Sequence, residues 1–225
     1  MSLDEFRKKF KLVVTSGPTR EFIDTIRFLS NPSTGRMGYY IAHAGVNLGY
    51  DVTYIHGPVP YKFRAVHDAQ NVEVISTIDM MNTVLHRIEE NTILIMAAAP
   101  ADYRPEKKFD HKLKKKENPE IKFIPNPDIL MSVNEKIKKE NISNVILIGF
   151  AAEIENAHEY AVSKLIRKDL DMIFLNDLSQ PNSGFGVETN ELTVIHRDES
   201  FEKWSTDSKE KLGYRILHEI EKWLA

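Results

Sequence analysis

Short apolar runs alternate with amphipathic stretches along this chain. The runs at 11–16 (KLVVTS), 51–57 (DVTYIHG), 72–77 (VEVIST), 92–98 (TILIMAA), 144–152 (NVILIGFAA), 171–177 (DMIFLND) and 191–197 (ELTVIHR) are rich in β-branched residues. They stop at Gly, Pro, Asn or Ser, which marks them as strands. Several are apolar at almost every position, as strands covered on both faces must be. Helical patterns fill the gaps at 36–48, 78–90, 128–140, 156–169 and 207–224. In the last, Leu212, Ile216, Ile220, Trp223 and Leu224 form one stripe. This alternation predicts an α/β fold, a mostly parallel sheet with helices on both faces. No repeat or linker interrupts it, so residues 1–225 are expected to form a single domain. The stretch 99–125 breaks the pattern. A β-hairpin arm or flap is expected near 107–125, of a length typical of lids and binding loops.

Composition narrows the function. A net charge of −3 over 225 residues argues against a nucleic-acid or anionic-membrane binder. There is no cysteine, which excludes disulfides, thiolate metal sites and a Cys nucleophile. The N-terminus has no signal-peptide core, and the longest apolar run (93–101) is too short to span a bilayer. A soluble cytoplasmic protein is expected. The eight histidines show no HExxH or HxH spacing, so no zinc site is inferred.

In an open parallel sheet, ligands collect beyond the carboxyl ends of the strands. The loop after the first strand, SGPTREFIDTIRFLSNPSTGRMG, ends in glycines that let backbone approach a ligand. Ser33 and Thr34 offer hydroxyls and a cap, and a helix start favours an anion. A capped loop with no ligand is the plain alternative. The dinucleotide fingerprint is absent: the glycine spacing is wrong and the second strand ends in His56 rather than an acid. AAAPADYRP (97–105) offers small residues for close approach and Asp102 for a metal or hydroxyl, although a lone Asp here is commonly a turn former. In NPDIL (126–130), Asn126 reads as an N-cap with Pro127 at the first helical position. KKFDHKLKKK (107–116) is either a solvated charge run or a partner for phosphate. Lys164 and Lys168 share a helix face. These signals converge on one sheet edge and suggest a nucleotide-using enzyme. A nicotinamide oxidoreductase and a non-enzymatic phospho-ligand module remain alternatives, since fold alone carries no function.

In order along the chain, TSGPTREFIDTIRFLSNPSTGRMGYYIA, AAAPADYRP, KLKKK, NPDIL, GFAAE and FLNDLSQPNSGFGVETNELTVI closely resemble the phosphopantothenate–cysteine ligase family over roughly residues 10–225. The resemblance implies a Rossmann-like homodimer that joins 4′-phosphopantothenate to L-cysteine, with CTP as co-substrate and Mg2+. An acyl-cytidylate would form first with release of pyrophosphate; the cysteine amine would then displace CMP. By motif position, Asn31 matches the family asparagine associated with the intermediate, and its amide is expected to donate to the reacting carbonyl. Arg27, Ser33, Gly35 and Ala99 would line the phosphopantothenate side. Met96, Ala97, Ala98, Asp102, Asn126, Pro127, Asp128, Ile129, Phe150, Lys164 and Lys168 would contact the nucleotide. Lys112 would reach the triphosphate, and Asp102 is the candidate metal ligand. Many bacterial members are fused to a flavin-dependent decarboxylase; here a separate decarboxylase is expected. The sequence departs from the family pattern at Pro32 and at Pro100, which replaces an aliphatic residue before Asp102.

Overall fold

The computed structural model describes residues 2–115, 120–178 and 188–224. Helix α1 (Leu3–Lys9) leads into β1 (Lys11–Ser16), followed by a hairpin of β2 (Arg20–Phe22) and β3 (Phe28–Ser30). Next come α2 (Arg36–Leu48), β4 (Asp51–His56), β5 (Gln70–Glu73) and α3 (Thr77–Leu85). Strand β6 (Thr92–Met96) precedes the pair β7 (Tyr103–Pro105) and β8 (Phe123–Pro125). The chain continues through α4 (Ile129–Glu140), β9 (Val145–Glu153), α5 (Ala157–Arg167) and β10 (Met172–Asp177). After these come β11 (Thr189–Asn190), β12 (Leu192–His196), β13 (Phe201–Lys203), β14 (Asp207–Ser208) and α6 (Lys209–Leu224).

The main sheet has the order β13-β12-β10-β9-β6-β1-β4-β5. From β5 to β10 every pairing is parallel; β12 and β13 add antiparallel strands at one edge. Chain order runs from β1 outward to β5, then crosses back to β6 on the other side of β1. That reversal is the switch point where open α/β sheets bind ligands.

Period-two alternation builds a core on each face. Leu12, Val14, Ile93, Ile95 and Phe174 point to the layer of α1, α2 and α6. Val13, Leu94, Met96, Ile173 and Leu175 point to the layer of α3, α4 and α5. Gly38 sets the depth of α2: a Cβ there would lie 2.6 Å from the Thr15 carbonyl oxygen. The start of α2 is thereby drawn against the end of β1. At the other end of the sheet, buried Glu221 of α6 accepts from Arg7 Nε of α1 (2.6 Å) and from Tyr50 Oη (2.9 Å).

Several expected boundaries move. The run 72–77 is strand only to Glu73, and Thr77 opens α3. The hairpin arm pairs at 103–105 with 123–125, so the described lysines of the run at 107–115 lie outside its strands. Lys116 and residues 117–119 lie outside the described residues. Trp223 leaves the α6 stripe and is exposed, while Leu217 is buried in its place. Short strands such as β2, β3 and β13 are too brief to show a period.

Candidate functional site

Two chambers open at the carboxyl ends of β1, β6 and β9, and they share Ala98 and Phe150. The first, of about 300 Å3, takes its walls from the α2 approach, the alanines after β6, the end of β9, and Asn176, Asn190 and Lys209. The second, of about 200 Å3, lies between the 100–102 loop and the start of α4.

The phosphate-like loop is built on backbone. Gly35, not Ser33 or Thr34, occupies the cap position of α2, with φ at 75° and no side-chain cap bond. Only glycine takes that left-handed angle freely, and this leaves the first-turn N–H groups of α2 without a side-chain cap. Ser16 Oγ donates to the Gly35 carbonyl at 2.7 Å and locks the turn to β1. Pro18 bridges Ala99, and Ala99 N donates to the Gly17 carbonyl at 2.9 Å. The two loops flanking the switch point are thus one unit.

Asn31 closes that unit. Its Nδ2 donates to the carbonyls of Ala99 (3.1 Å) and Pro100 (3.0 Å). Both amide hydrogens are therefore spent on the backbone. The Oδ1 accepts no hydrogen bond among the described residues, so Asn31 offers the chamber an acceptor rather than the donor expected from its motif.

The second chamber rests on a buried polar node. Thr77 Oγ1 lies 2.9 Å from Thr19 Oγ1 and 2.9 Å from Glu21 Oε1. Thr19 Oγ1 accepts from Ala101 N at 2.9 Å, and Asn126 Nδ2 donates to the Ala101 carbonyl at 2.8 Å. Asn126 is therefore not the cap of α4; it ties its own loop to the Asp102 loop. Asp128 caps α4 by accepting from Met131 N at 3.3 Å, and its other oxygen pairs with Lys168 at 2.8 Å. With Asn126 held by Ala101, Asp128 takes the cap, and Pro127 precedes it rather than filling the first helical position.

The chambers differ in charge. The first carries Arg36, Lys164 and Lys209 and no acidic side chain among its described lining residues. Lys164 is partnered by Glu153 of β9. Lys209 is 4% exposed, and burial, with the charge of Arg36, pushes its ammonium down to about 8. The second chamber holds Asp102 and Asp128 against Lys168. Among the described residues no group of three or more histidines or acids is placed to hold a metal ion.

Among the motif-predicted residues, Asn31, Ser33, Gly35, Ala97, Ala99 and Lys164 line the first chamber. Met96, Asp102, Asn126, Pro127, Asp128, Ile129 and Lys168 line the second, and Ala98 and Phe150 serve both. Ala97 and Lys164, placed by motif with the nucleotide, sit in the first chamber. Arg27 and Lys112 line neither. Arg27 Nη1 donates to Asp24 Oδ2 (2.7 Å) and to the Leu113 carbonyl (3.0 Å). Leu113 N donates to the same Asp24 oxygen at 3.1 Å, and Leu113 is buried. The Lys112 arm is thus pinned to the β2–β3 hairpin, with Lys112 exposed. Burial works to raise the Asp24 carboxyl, but the N–H groups of Ile26, Arg27 and Leu113 and the Arg27 charge bring it down to about 2. Residues 179–187, part of the motif block at 174–195, lie outside the described residues. Sequence reasoning missed Arg36, Asn176, Asn190 and Lys209. Lys209 was findable: it stands three residues before Leu212, a lysine on the apolar stripe.

A Rossmann-ordered sheet with two polar chambers side by side at its switch point defines the class: an open α/β fold of the kind that takes ligands at that point. Family comparison makes this particular. A model of the DNA/pantothenate metabolism flavoprotein C-terminal domain matches residues 7–224, and the chain belongs to that family. It is 40% identical over 210 residues to the coenzyme A biosynthesis bifunctional protein CoaBC of Bacillus subtilis, covering 93% of this chain and 50% of that protein. The protein of that name from Escherichia coli K12 is 37% identical over 217 residues, with 95% and 52% covered. The chain spans about half the length of the curated relatives it matches. The crystal structure of the C-terminal domain of a CoaBC protein superimposes with a TM-score of 0.77 at 33% identity, over 97% of both chains. The resemblance read from the motifs is borne out at the level of the family. Among the described residues no helix is long and apolar enough to cross a membrane.

Proposed function

We propose that this chain joins 4′-phosphopantothenate to L-cysteine, using CTP in two half-reactions. The observation that carries the reading is the pair of chambers meeting at Ala98 and Phe150. Such a junction lets a carboxylate in one chamber meet the α-phosphate of a nucleotide in the other.

In the first half-reaction, a carboxylate oxygen of phosphopantothenate attacks the α-phosphorus, and pyrophosphate leaves. The cationic chamber holds the acid, and the second holds the nucleotide on the start of α4 and Lys168. A magnesium ion, if bound, would supply charge neutralisation on the triphosphate, a role that asks for few protein ligands. Asp102 fits that demand, because its carboxylate lines the chamber and forms no ion pair among the described residues. Asp128 is already committed to Lys168 and to α4. In the second half-reaction the cysteine amine attacks the acyl carbon and CMP departs. Asn31 serves here through Oδ1, which accepts an N–H of the incoming amine and aims its lone pair at the acyl carbon. The reaction needs no protein nucleophile.

One association belongs to the same reading: a homodimer. Light scattering giving twice the 25.9 kDa of one chain supports the dimer. The chemistry is tested by incubating the protein with phosphopantothenate, CTP and Mg2+ without cysteine. Pyrophosphate and bound acyl-cytidylate should appear in equal amounts. CDP and a bound acyl phosphate instead, with no pyrophosphate, would indicate an acyl-phosphate route and refute the mechanism. Substituting ATP in the same assay measures base preference.

A further inference from the structure

We infer that Glu21, which lines neither chamber, is the terminal acceptor of a one-way hydrogen-bond chain that holds the walls of the second chamber, and so acts as a positioning residue for the nucleotide. The inference rests on the proposal that the nucleotide occupies that chamber.

Glu21 is the middle residue of β2 and is 4% exposed. A buried carboxylate is costly unless donors are brought to it. Among the described residues Glu21 forms no ion pair; Thr77 N (2.8 Å) and Thr77 Oγ1 (2.9 Å) both donate to its Oε1. Thr77 is the first residue of α3, where a negative charge is favoured. The carboxylate lines neither chamber, so it touches no reacting atom.

Its effect lies in the direction it imposes. A carboxylate only accepts. With its hydrogen given to Glu21, Thr77 Oγ1 can only accept, and its neighbours Thr19 Oγ1 (2.9 Å) and Asn126 Nδ2 (3.3 Å) donate to it. Thr19 Oγ1 in turn accepts from Ala101 N at 2.9 Å. Asn126 also turns Nδ2 to the Ala101 carbonyl, which leaves its Oδ1 to accept from Arg104 Nη1 at 3.1 Å. Donors thus point inward from Arg104 and Ala101, and every path ends at Glu21. Links polarised in one sense strengthen one another. The chain ties the 100–102 loop to the loop that enters α4, and both line the second chamber together with Thr77.

The first chamber has separate anchors. Ala98 N donates to Thr15 Oγ1 at 3.2 Å, Ala99 N donates to the Gly17 carbonyl at 2.9 Å, and Asn31 Nδ2 holds the carbonyls of Ala99 and Pro100. Removing the acceptor at position 21 therefore loosens one chamber and spares the other. The Thr77 hydrogen would be left with the Ala101 carbonyl, 3.4 Å away and already taken by Asn126.

The test pairs two variants. Glu21→Gln keeps an acceptor, since its amide oxygen can take the place of Oε1. Glu21→Met keeps the length of the side chain and removes the acceptor. Calorimetry measures the Kd of CTP with Mg2+ and, separately, of phosphopantothenate; amide exchange over residues 99–104 is followed without ligand. Glu21→Met should raise the Kd of CTP roughly 10-fold, the usual loss for one hydrogen bond to a charged group. It should also speed exchange at Ala101 and leave the Kd of phosphopantothenate unchanged. Glu21→Gln should stay near wild type in all three. Thr77→Val, close in shape, should weaken CTP and add little to Glu21→Met, because both cut the same chain; it carries the test if Glu21→Met fails to fold. Equal loss for both ligands, an unchanged Kd of CTP in Glu21→Met or Thr77→Val, or a Gln variant as weak as Met would overturn the assignment. If wild-type protein binds both ligands but releases no pyrophosphate, the functional reading fails while Glu21 is still judged by binding. If it binds no CTP, both fail.

Discussion

Replacing Lys209 by methionine should make the ligand-free protein more stable. The lysine ammonium is moved from an ordinary 10.5 to about 8 by burial and by Arg36. Each unit corresponds to about 1.4 kcal/mol between the two protonation states. The charged lysine therefore costs the fold up to about 3 kcal/mol at pH 7, and about 1–2 kcal/mol once solvent contact and relaxation are allowed for. Methionine keeps the apolar stem and drops the charge. For a chain of this size each kcal/mol moves the Tm by about 2–4 °C. The sign with pH is fixed by proton counting. Between about pH 8 and 10.5 the unfolded lysine keeps a proton that the folded one has released, so wild-type stability rises with pH there. The advantage of Lys209→Met should be full at and below pH 8 and vanish near pH 10.5. Urea unfolding at pH 7 and pH 10, without ligand, measures it. A variant less stable than wild type at pH 7, or offset equally at both pH values, would make Lys209 a structural tie and refute the argument.

The Lys112 arm supplies two further expectations. Lys112 lines neither chamber, so Lys112→Gln should slow pyrophosphate release by the about 10²–10³ usual for one charge-stabilising contact only if the arm leaves the β2–β3 hairpin for the triphosphate; unchanged release in a stopped assay would place the lysine outside the chemistry. Asp24→Asn turns a donor toward Arg27 Nη1 or Leu113 N, so limited proteolysis between residues 106 and 122 should accelerate, and an unchanged cleavage rate would show that the arm is held by other contacts. Because the Asp24 carboxyl falls from 3.8 to about 2, its contribution to stability is complete above about pH 4. It is lost as pH drops toward 2, where thermal melts of variant and wild type should converge.

Six of the seven apolar runs became buried strands of the main sheet, because burial on both faces leaves a strong composition signal; the run at 72–77 contributes only the end of the mostly exposed edge strand β5. Strands of two or three residues leave none, which hid the β2–β3 hairpin and β13. Helix α1, of seven residues, is likewise too short for a stripe. Caps were misplaced where several candidates adjoin: Asn126 and Asp128 compete within three residues, and the long-range bond from Asn126 to Ala101 decides between them. The motif residues along the 31–35, 96–102 and 126–129 loops were legible as a candidate site, and they line the two chambers. The donor role for Asn31 was not, since it depends on carbonyls 68 and 69 residues away. Lys209 and Asn176 were visible only as polar residues among apolar ones, a signal whose meaning needs the chamber.

Helix α6 has a consequence in time as well as in space. Gly213 brings it so close to α2 that a Cβ would lie 2.6 Å from the Tyr40 carbonyl oxygen. Its first residue completes a chamber whose other walls begin at Asn31. During synthesis, α2 and the β1 side of the sheet leave the ribosome long before their cover does. Until α6 emerges, Ile41 and Ala44 have no helix to bury them, and the first chamber lacks the wall that Lys209 supplies. The nascent chain can assemble the strands and the second chamber early, but the first chamber is not closed until α6, the latest-made of the described elements, has docked. The protein therefore becomes competent in one late step, and a translational stall before residue 209 leaves an exposed apolar face for chaperones to meet.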